Sequence, residues 1–326
     1  KAWTDKIITE LKEMPNVIVK NRSQVFGYYD HNMTVMIERT GDHLKDKPKY
    51  VPRQRLWYIR AKEVILSTGS IERPIVFGNN DTPGIFLSAA AKEYIKVYGV
   101  LVGKKPLVFT NNDSGYETAL EFKKHGIDPI ILDTREDHSS ELIDSAKNQN
   151  IKIKFSYAVI AANGYKKVNS AQIGKLNKDK TSFVNSETIK CDCICVSGFW
   201  TPTVHLASQS GNKLKFDDKI DAFVPDKSKQ KETSIGASKG TFTLQDTLDE
   251  GFKKGFDLSK KITSNNNLIS TPSSNEIKKS LHDKFWCSPL PKNKNLKRFV
   301  DFQNDVSVSD IEVALREGYR SIEHVK

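Results

Sequence analysis

Residues 106–133, PLVFTNNDSGYETALEFKKHGIDPIILD, limit the possible folds of this chain more than any other stretch. Residues 106–109 are a short apolar strand. Residues 114–124 place apolar or small side chains at helical spacing, Gly126 stops that helix, and 129–132 form a second strand ending in Asp133. Strand, turn, helix, strand and acid, with the acid about 20 residues past the turn, is the order of a dinucleotide-binding βαβ unit. The turn departs from that pattern. A phosphate cradle needs glycines so that backbone can approach the pyrophosphate, whereas Asn111, Asn112 and Asp113 put side chains there, one of them anionic. We read this turn as a retained scaffold that does not hold phosphate.

At 326 residues, with 37% apolar content and no long apolar run, the chain is expected to be a soluble, cytoplasmic protein with no membrane association. Its formal charge of +11 comes from dispersed lysines, as in DLSKKI, IKKS and PKNKNLKR, without interleaved aromatics, so a solvated face is expected and not a nucleic-acid surface. Four cysteines suit a reducing compartment and no C-x-x-C is present. Cys191, Cys193 and Cys195 alternate along one predicted strand, 188–196, which points all three to one face in a line that cannot surround a metal ion. His125, His138 and His205 stand apart from any nucleophile, so no catalytic residue is assigned.

The remaining elements frame that unit. A helix over 3–12 precedes strands at 17–19, 23–29, 33–39, 55–61 and 63–66, read as a meander with a polar loop at Asp46, Lys47 and Pro48. The last strand runs into Ser67-Thr68-Gly69-Ser70, a small-residue turn that lets backbone approach a ligand. A helix spans 88–97. After 106–133 come a helix at 140–149, strands at 151–155 and 157–163, and a hairpin partner at 168–174. A lysine-rich loop precedes a strand that ends in IGASKG, residues 235–240, and a helix follows over 243–261. Backbone N–H groups at such a turn are free to meet an anion. Residues 263–276 read as a flexible linker, and Ser309 with Glu312 reads as a capping box with Gly318 as the stop.

Four blocks in this order, STGSIERPIVFGNNDTPGIFLSAAAKEYIKVYGV, GKKPLVFTNNDSGYETALEFKKHGI, CDCICVSGFWTPTVHLASQSG and RFVDFQNDVSVSDIEVALREGYRSIEHVK, resemble the alpha subunits of heterotetrameric sarcosine oxidase, within the two-dinucleotide-domain flavoprotein superfamily. The resemblance implies an α/β fold: a split FAD/NAD(P)-binding Rossmann-like domain with a second Rossmann-like domain inserted, built from three-layer ββα and αβα elements. Residues 1–98 would be the first part of the split domain and 99–200 the insertion. Residues 201–262 would be the return segment, and 263–326 a linker and junction to an aminomethyltransferase-like domain. The chain is accordingly expected to be a central fragment, lacking the N-terminal strand and its G-x-G-x-x-G.

The resemblance further implies that NAD is bound in the split domain. Val25 would contact adenine through its backbone, Thr68 and Gly69 would approach the adenosine half, and Gly236, Ala237, Phe242 and Leu244 would line the second helix start against the pyrophosphate and nicotinamide half. Gly236-Ala237 stands where flavin-binding relatives carry Gly-Asp, which favours NAD over FAD in this chain. FAD and FMN are expected in or against a beta subunit, with gamma and delta subunits completing the complex and tetrahydrofolate bound by the aminomethyltransferase-like domain. Two other readings stay open: a self-contained pyridine-nucleotide-dependent flavin or disulfide reductase, and a non-catalytic scaffold.

Overall fold

The structure is a computed structural model that describes residues 2–46, 48–263, 270–275, 282–291 and 296–321. Lys47, IKKS, EHVK, most of the 263–276 linker and part of PKNKNLKR lie outside the described residues. Helix α1 (Ala2–Glu13) is followed by an antiparallel sheet of β1 (Ser23–Tyr29), β2 (Met33–Arg39) and β3 (Gln54–Arg60). His31 and Asn32 take positive φ, 60° and 53°, to close the first hairpin. The strand expected over 17–19 does not form; Ile18 is 82% exposed and has no ladder partner. The expected meander also ends one strand early. Strand β4 (Val64–Leu66) leaves the sheet and pairs in parallel with a strand from far along the chain. Asn32 explains how the two are tied, because its buried amide donates to the carbonyls of Lys62 and Lys231 at 3.3 and 3.2 Å.

Strand β5 (Ser70–Glu72) leads to β6 (Ile85–Leu87), α2 (Ser88–Tyr98), β7 (Pro106–Thr110), α3 (Ser114–Lys124), β8 (Ile130–Asp133), α4 (Glu141–Asn148) and β9 (Lys152–Phe155). Then come β10 (Tyr157–Asn163), β11 (Ser170–Leu176), β12 (Phe183–Lys190) and β13 (Cys193–Ser197). A five-stranded parallel sheet of order β6-β13-β7-β8-β9 forms the middle layer. Because side chains alternate across a strand, Val108, Ile131, Cys193 and Cys195 pack under α2, α3 and α4. Leu107, Phe109, Leu132, Ile194 and Val196 face the antiparallel sheet β10-β11-β12. The result is the expected ββα layering.

The three cysteines do not share a face. The single strand expected over 188–196 breaks at Asp192, whose carboxylate accepts from the N–H groups of Lys104 and Lys105 at 2.8 and 2.7 Å. Cys191 therefore packs with the antiparallel-sheet core and Cys193 and Cys195 with the helical one. Among the described residues no cluster of histidine, cysteine or acid could hold a metal ion.

The chain then returns through β14 (Trp200–Pro202), α5 (His205–Gln209), β15 (Lys213–Asp217), β16 (Ala222–Lys227), β17 (Glu232–Ser234), a 3₁₀ turn at Gly236–Lys239 and α6 (Leu244–Thr263). Strand β14 pairs with β5 and β17 with β4, so segments on either side of the five-stranded unit are sewn together. The lysine-rich loop is in fact the β15–β16 hairpin: lysines point outward while Ala222 and Val224 are buried with Phe199 and Ile220. Strands β18 (Phe299–Asp301) and β19 (Val306–Ser307) end in α7 (Val308–Arg316). The capping box there is Ser307 with Asp310, not Ser309 with Glu312, because β19 pairing starts the helix two residues earlier; the Ser307 N–H donates to Asp310 at 2.8 Å. No described helix is long and apolar enough to cross a membrane.

Candidate functional site

Two turns that follow the paired parallel strands β4 and β17 face each other across a cleft of about 340 Å³. It is lined by Ser67 and Gly69 from the first turn, and by Ile235, Gly236, Ala237, Thr241, Phe242, Leu244 and Thr247 from the second turn and the start of α6. Both glycines need left-handed backbone, at φ 75° and 66°. A Cβ built on Gly69 would meet nothing within 4 Å, so that backbone is open to a ligand. The structure thus gathers Gly69, Gly236, Ala237, Phe242 and Leu244. Thr68 sits beside them, exposed, its hydroxyl donating to the Thr203 carbonyl at 2.8 Å. Val25, half-buried on β1 opposite Met36, does not line the cleft.

The second turn is not a free anion cradle. The Gly236 N–H donates to the Glu250 carboxylate at 2.7 Å, and the Thr241 hydroxyl donates to its other oxygen at 2.9 Å. Glu250 reaches the turn from α6, 14 residues beyond Gly236 and across a non-helical stretch, so sequence spacing gives no sign of it. An amide already bound to a carboxylate opposes phosphate, and no charged side chain lines the cleft to compensate. This side of the cleft suits an aromatic ring more than a pyrophosphate, with Phe242 as its aromatic wall.

The glycine-poor turn of the insertion is filled by its own side chains. Asn111, Asn112, Asp113 and Asp133 are all at most 1% exposed. The Asn111 amide donates to the carbonyls of Asp283 and Phe285, and that of Asn112 to Ser197. Arg135 binds Asp113 at 2.9 Å and Asp133 at 2.8 Å, while the Tyr116 hydroxyl donates to Asp133 at 2.8 Å. Burial acts to lower the Arg135 pKa, but the Asp133 carboxylate outweighs it and holds the guanidinium charged. Residues 283–288 cross the carboxyl ends of β7 and β8, with Phe285 edge-on to Phe109 at 6.5 Å. The acid positioned by spacing for a ribose is thereby spent on an internal ion pair.

Glu72 was not foreseen. It lies three residues past Gly69, is 5% exposed, and its carboxylate accepts from the Ala89 N–H at the start of α2 at 2.7 Å. Burial raises its pKa to about 7, against the pull of hydrogen bonds from Ser197 and Ala89 and of the Lys92 charge. A carboxyl that binds its proton more tightly in the folded state stabilises the fold at low pH and loses that contribution as pH rises toward 7. Glu72→Gln keeps an acceptor for Ala89 and removes the ionisation. It should raise stability at pH 8 by roughly 3 kcal/mol and leave it nearly unchanged at pH 4, below the ordinary carboxyl pKa, read as the melting temperature at each pH. An equal shift at both values would mean that Glu72 does not titrate there.

Sequence reasoning also missed a pairing 61 residues apart, His282 with Asp221, whose Nε2–Oδ2 distance is 3.2 Å. Of the histidines singled out earlier, His125 lies 3.6 Å from Glu121 on the surface of α3 and the ring of His138 packs on Phe155.

Residues 295–326 match the Sarcosine oxidase A3 domain model. The chain is 32% identical over 324 residues to sarcosine oxidase subunit alpha of Rhizobium meliloti (strain 1021), covering 97% of this chain and 31% of that one. It is 32% identical over 333 residues to the same subunit of Corynebacterium sp. (strain P-1), covering 100% of this chain and 34% of that one. The chain therefore spans about a third of the length of the curated relatives it matches. In structure it resembles L-proline dehydrogenase from P. horikoshii, with a TM-score of 0.60 at 18% identity, over 99% of this chain and 58% of that one. It also resembles a NAD-dependent persulfide reductase from A. fulgidus, with a TM-score of 0.54 at 14% identity, over 81% and 48% of the two chains. At these identities the structural likeness shows the fold, while the resemblance carried by the sequence blocks holds across almost the whole chain: this protein is a relative, by sequence, of about a third of the sarcosine oxidase alpha subunit.

Proposed function

We propose that this chain is the NAD-binding middle region of the alpha subunit of a sarcosine oxidase complex, an oxidoreductase that oxidatively demethylates sarcosine to glycine and passes the one-carbon unit to tetrahydrofolate. The observation that carries the reading is the coincidence of sequence similarity to sarcosine oxidase alpha subunits with a cleft built from residues 67–69 and 235–247. The residues fit a dinucleotide. Gly69 leaves open backbone for the adenosine side, with Thr68 next to it and Val25 on the adjoining sheet as an adenine contact. Ala237, Phe242 and Leu244 offer small and apolar surface to the nicotinamide side. Bound NAD would supply a hydride acceptor or act as a structural brace.

The role of this chain's own residues is to bind and orient. The Glu250 carboxylate fixes Gly236 and Thr241, and with no charged side chain in the lining the pyrophosphate is directed away from the second turn. On this reading FAD and FMN belong to or against a beta subunit, gamma and delta subunits complete the heterotetramer, and folate binds in a further domain. The test is to purify the full-length alpha subunit with and without its beta partner. Acid release of stoichiometric NAD from alpha, with peroxide formed from sarcosine only when beta is present, is the expected result. Stoichiometric flavin on alpha alone would overturn the NAD assignment and favour the reductase reading.

A further inference from the structure

His282 is buried beside the cleft and does not line it. Its side chain is 1% exposed and its ring stacks on Phe199, with centroids 4.2 Å apart and planes 12° apart. Phe199 in turn meets Phe242, the aromatic wall of the cleft, edge to face at 5.1 Å. On the far side Nε2 reaches Asp221 at 3.2 Å. Asp221 is itself held: it sits at φ 46° in the β15–β16 turn, its carbonyl accepts from Arg73 at 2.6 Å, and its carboxylate pairs with Lys284 at 2.9 Å. The chain of contacts Asp221–His282–Phe199–Phe242 therefore runs from a fixed acid to the surface that a ligand ring would touch.

Nδ1 of His282 is buried and has no hydrogen-bond partner among the described residues. In the neutral form, which burial favours, Nε2–H donates to Asp221 and leaves Nδ1 as the ring's acceptor. Burial holds its pKa below the usual histidine value, and the nearby Arg73 charge acts in the same direction. A side chain whose only task was to fill space would do so at lower cost without a polar atom left unsatisfied. What the imidazole adds over an apolar side chain is one directional bond, and that bond fixes the plane of the ring on which Phe199 stacks.

We propose that His282 is a positioning residue: held in plane by Asp221, it sets Phe199 and through it Phe242, and so determines how well the cleft takes the planar ring of a dinucleotide. This rests on the reading of the cleft as the ring-binding half of an NAD site. The prediction is selective. Adenosine contacts lie at Gly69 and on the β1 sheet, away from this stack, so a ligand lacking the ring should not sense His282.

The test uses the full-length complex stripped of nucleotide, titrated calorimetrically with NAD and with ADP-ribose, which lacks only the nicotinamide. The native protein should bind NAD more tightly than ADP-ribose. In His282→Leu, NAD affinity should fall about tenfold while ADP-ribose affinity stays within about twofold. Asp221→Asn, which keeps a neutral acceptor for Nε2–H, should retain most of the native preference. His282→Phe keeps a ring but not the bond, so it separates stacking from orientation if the leucine variant does not fold; it too should lose part of the preference for NAD. Loss of both ligands together, or of neither, in the folded variants overturns the positioning role. Equal binding of NAD and ADP-ribose by the native complex instead removes the ring-site reading itself, whatever the variants do.

Discussion

Arg135→Met is expected to destabilise the inserted domain by about 3–5 kcal/mol, the usual result of removing one partner from a buried ion pair. Arg135 is the shared cation of Asp113 and Asp133, both essentially unexposed, and its removal leaves two buried carboxylates competing for the Tyr116 hydroxyl and a few amides. The melting temperature should fall by about 10 °C or more. The companion variant Asp113→Asn/Asp133→Asn/Arg135→Met removes all three charges and should recover much of the loss, because the cost lies in the uncompensated carboxylates and not in the missing side chain. Calorimetry on the two variants reads both effects. A single-variant loss under about 1 kcal/mol would mean that the carboxylates find other partners or take up protons, and that the network is not what holds this turn.

That network also shows what sequence could and could not reveal. The strands and helix of the βαβ unit were legible because hydrophobic periodicity and a glycine stop act locally, and 114–124 is found as a helix with the same limits. That polar side chains and not glycines make up this turn was legible from Asn111, Asn112 and Asp113. Which groups fill it was not, since Arg135 comes from beyond β8 and residues 283–285 from the distant return of the chain. The hairpin β15–β16 was hidden by its lysines: alternation is present, but charge on the outer face made 213–227 read as a loop. The break at Asp192 was hidden for the opposite reason. Cys191 to Val196 look like one continuous strand, and only the two amides of Lys104 and Lys105 show why the chain turns there.

For the cleft, the two glycine turns were readable because each needs a conformation that other residues adopt at a cost. Their proximity follows from β4 pairing with β17, a contact between residues about as far apart in sequence as the chain's two halves. Glu250 and the His282–Asp221 pair had no sequence signature, because each acts through tertiary contacts with partners on other elements.

Ala237→Glu separates the two places where a dinucleotide could sit. Ala237 lines the cleft between Gly236 and the start of α6, where the small side chain leaves room and no charged side chain lines the cleft. A glutamate there fills part of the cleft and adds a second carboxylate to a turn already carrying Glu250. The space it fills and its negative charge beside an anionic dinucleotide should weaken NAD binding by about a hundredfold, equivalent to about 3 kcal/mol. Stability should change little, since Ala237 is only half-buried and the added carboxylate can turn toward solvent. Asp133→Asn provides the opposite pattern. It should cost stability by weakening the pair with Arg135, yet leave NAD affinity within about twofold, because the carboxylate is fully buried and already engaged by Arg135 and Tyr116. Calorimetric titration of NAD into both full-length variants, with thermal melts alongside, reads the two axes independently. If Asp133→Asn abolished NAD binding while Ala237→Glu did not, the inserted domain would have to open its buried turn to admit the nucleotide, and the cleft between residues 67–69 and 235–247 would lose its assignment.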